Sequence, residues 1–291
     1  MPDTEVEVVV KTDAGLGEGP VWDPVTNRLL WLDMHKKTLH SSDPATGDTR
    51  TLRLDVVPGC LAPTRTKRIL YGTPTGFFVT DDLTGPGEPL AEVEAGKPGN
   101  RMNDGKVDPF GRMWLGTIDL GLTPGEGAFY RLHGNVVTLA VGGLTIPNGL
   151  AFAAAGDVCY LVDTGAKCVL RLDLDVDSGD VRGRSTFADL SGLPGVADGM
   201  AIDDRGRLWI ALYQGGALCC LAPDGSTERM VELPVSCPSS VVFGGSELDT
   251  LFVTTGCGRL SEEQRAEQPL AGSVLAIDTG SRGLAPVPFA D

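Results

Sequence analysis

The chain has 291 residues, of which 42% are hydrophobic and 22% charged, a balance that excludes disorder and supplies a substantial core. Lys plus Arg number 24 against 39 Asp plus Glu, for a formal net charge of −15, and a surface this acidic excludes a general binder of nucleic acid or anionic membrane. No apolar run approaches the roughly 20 residues of a membrane helix, and Met1–Lys11 lacks the basic and apolar regions of a leader. The seven Cys are odd in number and show no C-x-x-C spacing, so the expectation is a reduced, cytoplasmic protein.

With 39 Gly and 20 Pro, the chain reads as short Val, Ile, Leu, Phe, Tyr and Trp runs divided by turn-formers, and helical periodicity is scarce. One unit recurs in chain order. It begins as Gly19-Pro20-Val21-Trp22 with Arg28 to Asp33, and returns as Gly59-Cys60-Leu61-Ala62 with Arg68-Ile69-Leu70-Tyr71. The third copy is Asp104-Gly105-Lys106-Val107-Asp108 with Gly111 to Gly116, and the fourth is Asn148-Gly149-Leu150-Ala151-Phe152 with Asp157 to Asp163. Asp198-Gly199-Met200-Ala201-Ile202 with Gly206 to Ile210 follows, then Ser239-Ser240-Val241-Val242-Phe243 with Thr250 to Thr254. The anchors Val21, Leu61, Val107, Leu150, Met200 and Val241 are 40, 46, 43, 50 and 41 residues apart.

That period is one four-stranded propeller blade, and six anchors predict six blades. Turn sequences mark outer hairpins at Asp43 to Asp48, Asp177 to Asp180, Pro223 to Ser226 and Asp278-Thr279-Gly280. After Val241 only three strand-like runs remain, while Glu5 to Lys11 is left over at the start. The prediction is therefore an all-β, six-bladed propeller of four-stranded antiparallel blades, with the N-terminal strand closing the last blade. Although the length alone suggests two domains, this architecture makes residues 1–291 one domain.

In a propeller the innermost strand of each blade lines the central channel. Residues just ahead of the anchors then converge at one mouth: Glu18, Asn103, Asp104, Asn148 and Asp198, with Gly59, Cys60, Ser239 and Ser240 from the other two blades. Carboxylates and an amide oxygen aimed at one axis suit a hard divalent cation. Taken singly, Asn-Gly and Asp-Gly are ordinary turn dipeptides and Glu18 sits between two glycines as a loop residue would. Their coincidence at equivalent blade positions favours the joint site. His35, His40 and His133 have no zinc spacing, and neither a nucleophile elbow nor a phosphate loop occurs. Asp173-x-Asp175-x-Asp177 has Ser178 and Arg184 where a calcium loop needs Gly and Glu, so it reads as an outer strand and hairpin. Cys219 and Cys220 read as buried thiols in a strand.

Several stretches resemble the gluconolactonase/regucalcin family, which includes senescence marker protein and luciferin-regenerating enzyme. They are Leu16-Gly17-Glu18-Gly19-Pro20-Val21-Trp22, Asn100 to Lys106 with Asp108 to Arg112, Pro147 to Phe152, and Ala197 to Asp203. Phe243-Gly244-Gly245 and Pro269 to Ser273 extend the likeness over almost the whole chain. The resemblance implies a six-bladed propeller that hydrolyses a sugar lactone to its aldonic acid. It implies Glu18, Asn148 and Asp198 as ligands of one divalent metal ion (Ca, Zn, Mn or Mg), and Asp198 as general acid/base. Arg101 and Asn103 match substrate-contacting positions. A further acidic contact is expected between Asp119 and Gly127, where alignment places Thr123, with Glu126 out of register. A metal-dependent hydrolase of another ester and a non-catalytic calcium-binding regulator are the competing expectations, and monomer and dimer stay open.

Overall fold

In the computed structural model, which describes residues 5–291, the apolar runs become short antiparallel strands. Residues 1–4, the first part of the Met1–Lys11 segment, lie outside the described residues. The first strand, β1 (Val6–Val10), is set aside by the chain for later use. Blade 1 is β2 (Gly17–Asp23), β3 (Arg28–Asp33), β4 (Thr38–Ser42) and β5 (Thr49–Arg53). Blade 2 is β6 (Leu61–Pro63), β7 (Ile69–Thr73), β8 (Gly76–Thr80) and β9 (Glu88–Glu92). Blade 3 is β10 (Asn100–Val107), β11 (Met113–Asp119), β12 (Gly127–His133) and β13 (Val136–Leu144). Blade 4 follows as β14 (Pro147–Phe152), β15 (Val158–Asp163), β16 (Cys168–Leu174) and β17 (Val181–Asp189). Blade 5 is β18 (Val196–Ile202), β19 (Leu208–Tyr213), β20 (Ala217–Leu221) and β21 (Thr227–Glu232).

Blade 6 has only β22 (Pro238–Gly244), β23 (Thr250–Thr255) and β24 (Val274–Asp278) from the end of the chain. The N-terminal β1 completes it in the order β1-β24-β23-β22, pairing Val6 with Ile277 and Val8 with Leu275. The protein is thus a six-bladed β-propeller closed by its N-terminal strand, as the strand count predicts. Closure removes an open edge that would otherwise invite pairing with other chains.

Apolar side chains gather in six separate cores, one at each junction between adjacent blades. Cys219 and Cys220 show the alternation directly: both are buried free thiols, one in the core between blades 4 and 5, the other between blades 5 and 6. Trp31, Trp114 and Trp209 occupy the second strands of blades 1, 3 and 5 and are fully buried, each worth about 2–3 kcal/mol in apolar area. A repeated motif secures two of them. Asp108 accepts hydrogen bonds from the backbone N–H groups of Phe110 and Arg112, from Arg112 Nε and from Trp114 Nε1. Asp203 does the same for Arg205, Arg207 and Trp209. His40 also belongs to packing, stacked on Trp31 with ring centroids 4.0 Å apart.

The hairpins at Asp43–Asp48, Asp177–Asp180 and Pro223–Ser226 form as predicted, with Gly47, Gly179 and Gly225 at positive φ. The fourth is corrected: Asp278-Thr279-Gly280 joins no two strands, because β1 already holds the outer place beside β24. The chain instead crosses the opposite end of the channel, bridging Gly283 to Asp203 and Phe289 to Thr64, and Phe289 is buried in the core between blades 2 and 3. One helix, α1 (Glu262–Glu267), escapes the periodicity reading because none of its residues is buried. Its Ser261-x-x-Gln264 capping box is the local signal for it. Among the described residues no helix is long and apolar enough to cross a membrane.

Candidate active site

Each inner strand that carries a candidate residue breaks its register at that residue. Pairing of β2 with β3 jumps from Glu18 to Val21, and of β10 with β11 from Met102 to Gly105. In β14 it jumps from Pro147 to Leu150, and in β18 from Ala197 to Met200. Asn103, Asp104, Asn148 and Asp198 therefore lie in bulges, where a strand turns its side chains out of the ladder and toward the channel. The Asn-Gly and Asp-Gly pairs are inner-strand bulges and not turns. Their glycines are steric. A Cβ on Gly149 would lie 2.5 Å from the Met200 nitrogen, and one on Gly199 would lie 2.5 Å from Ser240 Cα. Only glycine lets neighbouring inner strands approach this closely, and that approach brings Asn148 and Asp198 to one mouth.

Hydrogen bonds tie the cluster together. Arg101 Nη1 donates to Asn103 Oδ1 and to Met102 O, each at 2.9 Å. Asn103 Nδ2 donates to Pro147 O at 3.0 Å and to Asn148 Oδ1 at 3.3 Å. Asn148 Nδ2 donates to Thr164 Oγ1 at 3.3 Å, and that hydroxyl donates to Ala197 O at 2.6 Å. Glu18 accepts from the Gly19 N–H and Asp104 from the Gly105 N–H. Lys106 Nζ donates to Met200 O at 2.7 Å, reaching across the channel from blade 3 to blade 5.

Glu18, Asp104, Asn148 and Asp198 are all buried. Burial, then the charges of Asp198 and Asp104, push the Glu18 carboxyl well above its usual range. Asp198 is pushed up to about 8, chiefly by burial and then by Asp104. Burial also raises Asp104 and lowers Arg101 and Lys106. Three buried carboxyl groups thus face two basic side chains, so full ionisation of all five would leave negative charge in excess. Among the described residues no three His, Cys, Asp or Glu side chains form a ready metal cage. A cation held between Glu18 and Asp198 would need the Asn148 amide oxygen as its third protein donor, an all-oxygen set suited to a hard ion.

Two sets of supporting residues lie outside the sequence reading. Asp33, at the end of β3, accepts from the backbone N–H groups of Gly15 and Leu16, just ahead of Glu18. Asp163, at the end of β15, does the same for Thr145 and Ile146, ahead of Asn148. The signal was an Asp closing the second strand of both blades. Thr164 and Lys106 had no local signal at all. In the loop after β11, residues 121–126 are exposed, and Thr123 is occupied by hydrogen bonds to Asp119. The Glu126 backbone oxygen accepts from Asn100 Nδ2 at 3.3 Å.

Fold and site together define a six-bladed propeller whose channel mouth concentrates buried oxygen donors. The chain belongs to the SMP-30/gluconolactonase/LRE-like family, whose model matches residues 16–257. It is 33% identical over 287 residues to a 6-deoxy-6-sulfogluconolactonase of Pseudomonas putida, covering 98% of each chain. It is 30% identical over 298 residues to the regucalcin of Xenopus laevis, covering 100% of each. The crystal structure of a calcium-binding regucalcin from Agrobacterium tumefaciens superposes with a TM-score of 0.93 at 29% identity, covering 99% of this chain and 98% of that one.

Proposed function

We propose that this protein hydrolyses a sugar lactone to the aldonic acid, with one divalent cation held by Glu18, Asn148 and Asp198. The observation that carries the reading is the excess of buried carboxylate at a mouth that also holds Arg101 and Asn103. Similarity to the sulfogluconolactonase supports the reaction class, and similarity to a calcium-binding regucalcin supports the cation. The donor chemistry fits. Three carboxylates, Arg101, Lys106 and a divalent ion would leave the site net positive by one, a field that suits a product carrying one carboxylate. Bound there, the ion would supply Lewis-acid polarisation of the lactone carbonyl, worth several kcal/mol to the transition state.

The chain's own groups do the rest. Asp198 exchanges a proton with the attacking water and with the departing ring oxygen. Arg101 spends one Nη on Asn103 and Met102, leaving its other N–H groups for sugar hydroxyls or the developing carboxylate. Asn103 has both amide hydrogens engaged by Pro147 and Asn148, so it positions the Asn148 oxygen as well as facing the substrate. The exposed loop of residues 121–126, with Thr123 tied to Asp119, leaves that side open and bears on which lactone is accepted.

The test is acid release from a panel of aldonolactones, corrected for spontaneous opening. Metal-stripped protein is compared with protein given Ca²⁺, Mn²⁺, Mg²⁺ or Zn²⁺, with Asp198→Ala alongside. Turnover restored by a cation and lost in the variant is expected. Cation binding without turnover of any lactone would replace this reading with that of a calcium-binding regulator, which the likeness to regucalcins favours. Turnover of aryl esters or phosphotriesters alone would move the substrate class and leave the cation site standing.

A further inference from the structure

The opposite end of the channel is built from different chemistry. There the inner strands and the crossing C-terminal segment line a cavity of about 120 Å³ that is partly open to solvent, walled by Val21, Trp22, Val107 and Val242 and flanked by residues 284–287. Val21, Val107 and Val242 pack against the blade-junction cores on one side, are only half-buried, and line this space. The flanking segment is held at both ends, by Gly283 N–H to Leu248 O and by Phe289 N–H to Pro63 O, each at 2.8 Å. Between them none of residues 284–288 makes a backbone hydrogen bond, and Pro286 and Pro288 have no N–H to give. The span is a bridge tethered at its ends and lying outside any strand ladder.

The cavity has one cationic side chain, Lys106. Its ammonium offers three N–H donors and uses one, on Met200 O. Burial disfavours charge on Lys106 and also on Asp104, whose carboxyl acts on it through space. An acceptor rising from the cavity would meet the spare donors in a low-dielectric setting, where a charged hydrogen bond is strong. An apolar space of this order of size can admit a molecule as large as benzene.

We propose that this chamber is a second binding site, taking a small molecule with an apolar body and one carboxylate head, the head on Lys106 and the body against the valines and Trp22. The class is a short aliphatic carboxylate; the site shares Lys106 with the channel mouth but does not rest on the lactonase reading.

The test titrates acetate, butyrate, hexanoate and octanoate, each beside its matching alcohol, into the full chain and reads tryptophan fluorescence, with Trp22→Phe assigning the signal. Saturable binding is expected, strongest for butyrate or hexanoate and about tenfold tighter than for the alcohol. It should persist in Arg101→Ala, lose the carboxylate preference in Lys106→Met, and disappear in Val242→Phe, which fills the chamber. Val107→Leu is the second filling variant should Val242→Phe fail to fold. No saturable signal from any probe overturns the proposal. So does binding that survives the filling variants, equal affinity for acid and alcohol, or a carboxylate preference unchanged in Lys106→Met.

Discussion

Asn103 Nδ2 lies 3.3 Å from Asn148 Oδ1, joining blades 3 and 4 through two side chains that both occupy strand bulges. Which end of the Asn148 amide faces the channel is decided one residue further out. The Thr164 hydroxyl spends its proton on Ala197 O at 2.6 Å, so toward Asn148 it can only accept. That requires Asn148 to present Nδ2 to Thr164 and leaves Oδ1 on the side of Asn103. The proposed donor atom is thus aimed by a threonine that touches neither cation nor substrate.

Thr164→Val keeps the shape and removes the hydroxyl. Cation affinity should fall about 10- to 100-fold, the usual effect of losing a partner behind a ligand. Stability should fall by about 1–3 kcal/mol, since the Ala197 carbonyl and the Asn148 amide lose a partner. Calorimetric titration and thermal melts measure the two, and an unchanged cation affinity would remove Asn148 from the ligand set.

The buried carboxylates set a pH dependence whose sign follows from Asp198. Its folded-state pKa, about 8, lies above the ordinary 3.8, so the folded protein binds more protons than the unfolded chain between those values. Stability contributed by this group is full below the ordinary pKa and is lost as pH rises through about 8. Cation-free protein should therefore melt lower as pH rises over that window. Asp198→Asn should flatten the slope and raise stability near pH 8, while abolishing turnover. A saturating cation should reverse the loss, adding about 2.7 kcal/mol at a hundred times its Kd. A cation-free protein whose melting point climbs across the window would contradict the assignment.

Asp108 and Arg112 form a buried pair 2.6 Å apart, and the same Asp holds Trp114 Nε1 at 2.9 Å. Asp108→Ala strands a guanidinium and an indole N–H in the core and should cost about 3–5 kcal/mol. Arg205, Arg207 and Trp209 depend on Asp203 in the same way, so Asp203→Ala should cost a similar amount by denaturant unfolding. A loss under 1 kcal/mol at both positions would show the motif to be ornamental.

Removal of residues 1–11 takes β1 away from β24 and leaves Val274–Asp278 as an open edge. Lost burial of Val10 and of parts of Val6 and Val8 amounts to about 3–5 kcal/mol. The truncated chain should unfold earlier and self-associate in light scattering. Unaltered melting would mean that blade 6 stands on three strands.

The repeat, its six copies and the closure by β1 follow from the sequence by itself, because strand-and-turn alternation is a local pattern that recurs at a fixed interval. Glu18, Asn103, Asn148 and Asp198 were legible for the same reason: they hold equivalent places in that repeat. Arg101 was legible only through resemblance to relatives. Tertiary structure alone decided what surrounds them. The glycines after Asn148 and Asp198 matter for a strand in the next blade, and Thr164 matters through Ala197, 33 residues away. Lys106 meets Met200 across the channel at a separation of 94 residues. The turn at Asp278 was misread because its outcome depended on a strand at the other end of the chain, already hydrogen-bonded where a hairpin would have gone. A local pattern records which element forms, whereas hydrogen bonds, charge and excluded volume act between residues that only the closed ring brings together.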